Sequence, residues 1–185
     1  MQCNTSSLIT KFASLKIQII SMKLSVFVFI FFLFVGFENV KAIVPLQEIN
    51  KTTYYQVLKT GSLKDINDEL ALIETSSLKN KDAFTGALQM KKAGLEKVPK
   101  EKLKTFKEGA VKLETVLRSD SSNVEYHFLR LIIQEHAPKI VKYSKNVSED
   151  AAFIKKNYKA LSPEVQKILI DYSQTSKALK PTDFS

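Results

Sequence analysis

Two histidines, His127 and His136, and a single cysteine, Cys3, are the only imidazole and thiol groups in a chain of 185 residues. Nine positions separate the histidines on what reads as one helix. That places them about 180° apart on its wheel, so they do not share a metal. No His-Glu-x-x-His, Gly-x-Ser-x-Gly or phosphate-cradling glycine loop occurs. A nucleophilic triad needs Ser or Cys beside a His and an acid, and the supply here is poor. No metal and no cofactor is expected.

Carboxylates are the remaining catalytic route. Glu135 falls within about 20° of Val124 on the same wheel, inside an apolar face. It is there either as an acid of raised pKa in a cleft, or as a helix-end residue that reaches solvent past Pro138 or pairs with Lys139. A polar stripe is the stronger pattern. Asn123, His127, Arg130 and Gln134 fall within about 60° of one another, and Arg130 is one of two arginines, with Arg118, beside 26 lysines. The stripe reads as a site for a carboxylate or a ledge for a docking peptide. The favoured alternative is the polar edge of a central helix, with Arg130 stacked on Tyr126. The candidate binding residues are therefore Arg130, Gln134, His127, Asn123 and Glu135. Asn50-Lys51-Thr52 and Asn146-Val147-Ser148 match the N-glycosylation acceptor, which matters only where that machinery exists.

The helix that must position these groups spans about 124–137. Asp120-Ser121-Ser122-Asn123 opens it as a turn and N-cap, and Pro138 kinks or ends it. Residues 139–143 continue as a turn. Val124, Phe128, Leu131 and Ile132 form one face, while Leu129, Ile133 and Tyr126 carry apolar surface round the other side. A helix apolar on most sides is central in its domain, with neighbours on at least two sides.

Other helices surround it in the reading. One over 52–59 ends at Gly61, where a left-handed cap suits glycine. Ser62 and Asp65 make a capping-box-like pair, with Leu63, Ile66, Leu70 and Ile73 on one face and Thr75-Ser76-Ser77 as the close. The next spans 80–93, with Phe84, Ala87 and Leu88 inward and Gly94 as the stop. Pro99 opens another at its first position, with a stripe of Leu103, Phe106, Ala110, Leu113 and Leu117. Lys100, Lys104 and Lys107 lie off that stripe, interleaved with Glu101, Glu108 and Glu114. They read as a solvated face rather than a docking patch. Ser148-Glu149-Asp150 caps a helix to about Ala160, with Phe153 and Ile154 inward. Ser162-Pro163-Glu164 is the strongest start. Its helix runs to about Leu179, and Val165, Ile168, Leu169, Tyr172 and Leu179 share an arc. No Asn-Gly or Asp-Gly hairpin and no sustained β-branched alternation competes. The expected fold is all-α, a single domain of about five to seven helices in antiparallel hairpins, as a bundle or a short repeat-like array.

Ahead of this domain lies an export signal. Residues 1–37 contain no acid, and Lys23 precedes fourteen residues, 24–37, that are apolar but for Ser25. A membrane-spanning helix needs roughly 20 residues, whereas a signal-peptide core needs about 7–15 followed by a small-residue site. Val40-Lys41-Ala42 supplies that site. The expected division is a signal peptide over 1–42, with Met22 as an alternative start, and a helical domain over 43–185. Cleavage near Ala42 exports the chain to the periplasm or beyond, removes its only cysteine, and leaves 24 basic and 18 acidic residues. A Lys-rich, Arg-poor surface lacks the planar fork that nucleic-acid readers favour, so no nucleic-acid partner is expected. Membrane contact is expected to be peripheral at most.

The stretch 106–131, Phe-Lys-Glu-Gly-Ala-Val-Lys-Leu-Glu-Thr-Val-Leu-Arg-Ser-Asp-Ser-Ser-Asn-Val-Glu-Tyr-His-Phe-Leu-Arg-Leu, resembles the junction between tetratricopeptide repeats. Tyr55-x-x-Leu58-x-x-Gly61 is a weaker echo, and no 34-residue self-match accompanies them. The resemblance implies helical hairpins. The whole processed chain is also similar to small, exported, all-helical bacterial proteins of unassigned function, with Glu-Tyr-x-Phe-Leu-Arg-Leu at 125–131 as the shared core helix. That likeness implies no activity. The expected function is an exported, non-enzymatic module that binds a protein or peptide. The alternatives are a small carboxylate enzyme, or a peripheral binder of membranes or polyanions through surface lysines.

Overall fold

The computed structural model describes residues 48–184. The expected signal peptide over 1–42, the start at Met22 and the cleavage point at Ala42 lie outside them. Among the described residues there is no strand, and the fold is all-α. Its helices are α1 (Lys51–Thr60), α2 (Leu63–Thr75), α3 (Lys81–Leu95), α4 (Pro99–Ser119), α5 (Val124–His136), α6 (Val147–Asn157) and α7 (Pro163–Ser173). Short 3-10 turns follow at Lys139–Val141, Tyr158–Ala160 and Pro181–Phe184. None of the described helices is long and apolar enough to cross a membrane.

Local signals set most of the starts. Ser62 and Asp65 form a complete capping box. Asn123 accepts from the Glu125 amide, Ser162 accepts from the Val165 amide, and Pro163 and Pro99 occupy first turns. Two expected punctuation marks are different in kind. Gly61 is extended, with φ −61° and ψ 144°. A side chain there is barred by crowding instead, since a Cβ would stand 2.6 Å from the Val57 carbonyl oxygen. Gly94 lies inside α3, which runs on to Leu95. The left-handed residue of this region is Asn80, at φ 55°, whose side chain donates to the Tyr126 hydroxyl at 3.0 Å.

Among the described residues, α3 and α4 are the most extensively packed pair of helices. A Cβ on Gly86 would lie 2.5 Å from the Gly109 carbonyl oxygen, and one on Gly109 would lie 2.6 Å from that of Gly86. Mid-helix glycine is intrinsically unfavourable by about 1 kcal/mol relative to Ala. Here it lets two backbones touch. Lys112 pairs with Asp82 at 3.0 Å, and Thr105 donates to Glu96 at 2.9 Å. Early α3 therefore meets late α4, and the pair is antiparallel. Leu103 does not join the buried stripe: it is 46% exposed, because the first turns of α4 overhang the core.

α5 is the centre of the fold. Every residue from 126 to 134 is buried, and the helix packs against α3, α4 and α6. Phe128 stacks on Tyr55 at 5.4 Å and meets Tyr172 edge-on at 5.5 Å, which ties α1 and α7 to the same core. The expected cap at Ser148 is displaced. α6 starts at Val147 behind Asn146 with no side-chain cap bond, and Asp150 is taken into the core. α7 also stops at Ser173 rather than near 179. Beyond it the Lys177 and Ala178 amides turn onto Glu135, and Leu179 and Phe184 are buried by the returning tail.

Candidate functional site

The polar stripe of α5 converges on one carboxylate, that of Asp150 in the first turn of α6, which is wholly buried. Arg130 grips it with two donors, Nε to Oδ2 at 2.8 Å and Nη2 to Oδ1 at 2.7 Å. Gln134 Nε2 donates to Oδ2 at 3.2 Å, and His127 Nδ1 lies 2.7 Å from Oδ1. The network extends outward. Arg130 Nη1 donates to Glu114 of α4 at 3.1 Å, and the Tyr143 hydroxyl donates to the other oxygen of Glu114 at 2.7 Å. Gln134 Oε1 accepts the Asn146 amide at 3.1 Å. One stripe thus docks α4, α6 and the loop between α5 and α6 onto the central helix.

The electrostatics follow from that geometry. His127 has an acceptor on each ring nitrogen, Asp150 on Nδ1 and the Ser121 carbonyl oxygen 2.9 Å from Nε2. Burial pulls its pKa down, but the hydrogen bonds to Asp150 and Ser121 outweigh that and raise it. The imidazolium is the form that satisfies both acceptors. Burial likewise opposes the charge on Arg130, and Asp150 and Glu114 more than restore it. Tyr143 is pushed up by burial and then by Glu114.

The other two candidates lie elsewhere. Asn123 caps α5 and takes no part in the cluster. Glu135 is half-buried and does not pair with Lys139. Its carboxylate accepts from the Tyr172 and Ser176 hydroxyls and from the Lys177 and Ala178 amides. Arg130 is committed to Asp150 and Glu114 rather than to Tyr126. Sequence reasoning offered Arg130 an outside carboxylate or a stack on Tyr126, and missed the carboxylate of the chain itself, because Asp150 looked like an ordinary first-turn acid. Asn50 and Asn146, the two glycosylation-type asparagines, accept from the Thr53 amide and donate to Glu149, respectively. Lys100, Lys104 and Lys107 are exposed.

Two clefts adjoin the central helix among the described residues. A groove of about 810 Å3 gathers the N-termini of α1, α5 and α7. Several of its helix-end donors are already taken: Asn50, Asn123 and Ser162 each cap one amide of their own helices, and Glu164 accepts from the amide and hydroxyl of Thr52. Lys51 is held between Glu125, at 2.7 Å, and the face of Phe84, at 3.8 Å. The second is a smaller cleft of about 110 Å3 between α1, α5 and α7. Phe128, Ile132, Tyr55 and Ile168 make its walls, and Lys59, Lys91, His136 and Asp171 stand at its mouth.

Among the described residues no three His, Cys, Asp or Glu side chains converge as a metal site. Comparison with known proteins finds no family model, no curated protein and no solved structure that matches this chain.

Proposed function

We propose that the protein is an exported, non-enzymatic helical module that binds a protein or peptide, and that the cleft between α1, α5 and α7 receives an apolar side chain flanked by acidic residues. The observation that carries this reading is an aromatic and aliphatic floor below a mouth where Lys59 pairs with Asp171 at 3.7 Å and Lys91 adds a cation beside that pair. A preformed apolar pocket with a few polar groups at its rim is the usual form of a side-chain receptor, and rim charge of one sign selects a partner of the other. The clustered titratable groups support binding over catalysis. Asp150 and Glu135 are saturated with donors from their own chain, which leaves neither free to act on a substrate.

The test uses a synthetic peptide with one phenylalanine between glutamates, titrated by fluorescence anisotropy. Saturable binding is expected, weakened at least tenfold by Lys59→Glu with Lys91→Glu and abolished by Ile168→Glu. Equal binding by all variants, or none by the parent, overturns the cleft. Export is tested by intact mass of the protein from its native compartment, which should begin at Ile43.

One observation favours a second reading, a peripheral contact with anionic membranes. Leu95, Val98 and Leu103 stand exposed at the turn between α3 and α4, with Lys97, Lys100, Lys102 and Lys104 exposed around them. Apolar tips ringed by lysine suit a negatively charged lipid surface. Salt-sensitive sedimentation with phosphatidylglycerol vesicles, lost in Leu103→Glu, supports it. Salt-insensitive behaviour removes it.

A further inference from the structure

A third cavity, of about 210 Å3, lies where the lead-in to α1 meets α2. It is lined by Glu48, Ile49, Asn50, Thr53, Glu69 and Leu72. Glu69 is the unusual member. It is 4% exposed, yet among the described residues no hydrogen bond or ion pair reaches its carboxylate. Its own helix offers no help: the residues three and four positions away are Asp65, Ile66, Leu72 and Ile73, and none is basic. From the first helix, Asn50 accepts the Thr53 amide through its side-chain oxygen at 2.9 Å, and neither the Asn50 side-chain amide nor the Thr53 hydroxyl, which line the same cavity, is bonded to Glu69.

A carboxylate so little exposed and without a partner has lost part of its hydration, and its oxygens keep contact only with the cavity that they line. Here burial raises the Glu69 pKa, with no opposing contribution. Nothing in the local packing calls for an acid: the same wall is continued by Ile49 and Leu72. The missing element is a cation that can sit among apolar side chains.

We propose that this cavity binds a primary ammonium group carried on an alkyl chain, as at the end of a lysine side chain or of a polypeptide. Glu69 accepts the ammonium, Glu48 adds a second carboxylate at the rim, and Ile49 and Leu72 flank the alkyl part. A divalent metal is a poorer match. Calcium and magnesium need six or more oxygen ligands, and half of this lining is apolar or already bonded. The site stands apart from the α1–α5–α7 cleft, so either holds without the other.

The experiment is an NMR titration of the full chain with n-butylammonium chloride, following the Glu69 side-chain carboxyl and the Leu72 methyls, with n-butanol as the uncharged control. Butylammonium should shift both signals saturably and butanol should not. Glu69→Gln, which keeps shape and removes charge, should weaken binding at least tenfold, and Glu48→Gln should weaken it a few-fold. A melting curve confirms that each variant is folded. No saturable shift, equal affinity in Glu69→Gln, or tighter binding of calcium than of butylammonium overturns the proposal.

Discussion

Asp150 and Glu69 are both little exposed, at 0% and 4%, and their surroundings are opposite. Asp150 is met by a bidentate arginine, a glutamine and a histidine, all projected from one face of α5. Glu69 is met by nothing charged. The first arrangement is closed: each donor is used, and the charge is balanced inside the fold. The second is open, because the balancing charge has to come from outside. Burial of an acid is therefore not by itself a mark of function. What distinguishes the two is whether the chain supplies the partner.

The largest expected effect tests the closed side. Asp150→Ala leaves the Arg130 guanidinium buried without its bidentate acceptor, and should cost about 3–5 kcal/mol. A domain of this size has about 5–15 kcal/mol in total, so urea denaturation should show a large fall. Glu69→Ala should cost well under about 1 kcal/mol. A loss as large as that of Asp150→Ala would mean that Glu69 is structurally partnered, and the comparison would break.

Glu135 should fall between them. It is a well-donated carboxylate, but at the edge of the core, where it holds the chain after α7. Glu135→Ala should cost about 1–3 kcal/mol, with faster amide exchange at Lys177 and Ala178 and little change in α5. Uniform loss of protection across all helices would show that this carboxylate is as central as Asp150.

The smaller effects are in pH dependence. His127 has a folded pKa raised above its unfolded value of about 6.5. Its contribution is therefore fully present below about pH 6.5 and lost as pH rises through the folded value. The melting temperature should fall from mildly acidic to mildly alkaline pH, and His127→Gln should flatten that slope. Glu69 has a raised pKa as well, so its cost to stability grows as pH rises from about 4.3 through its folded value. Glu69→Gln should remove that acidic-range slope and leave the neutral one intact. A single slope abolished by either variant would show the two groups to be coupled.

Much of the fold was legible locally. The capping box at Ser62 and Asp65, the Asn123 cap, the Ser162-Pro163 start and the all-round apolar character of α5 each depend on residues within about four positions, and each is where the reading placed it. The failures were of range. Gly86 and Gly109 lie in two separate helices, and no local pattern shows that their backbones meet. Leu103 has the right phase for the stripe but lies past the end of its neighbours. Ser148 looked like a cap because the pattern could not show that Asp150 was required inside.

Periodicity placed Asn123, His127, Arg130 and Gln134 on one edge of one helix, and composition made Arg130 conspicuous. Those are properties of the chain alone, because helical geometry fixes which side chains share a face. Which of them share a partner depended on where α6 docks. Asp150 lies 20 residues from Arg130 and Glu135 lies 42 from Lys177, distances over which no local rule acts. Only the tertiary structure decided that the first carboxylate is neutralised within the chain, that the second ends α7 early, and that Glu69 is left with none, since a charge finds or loses its partner only when separate elements are packed together.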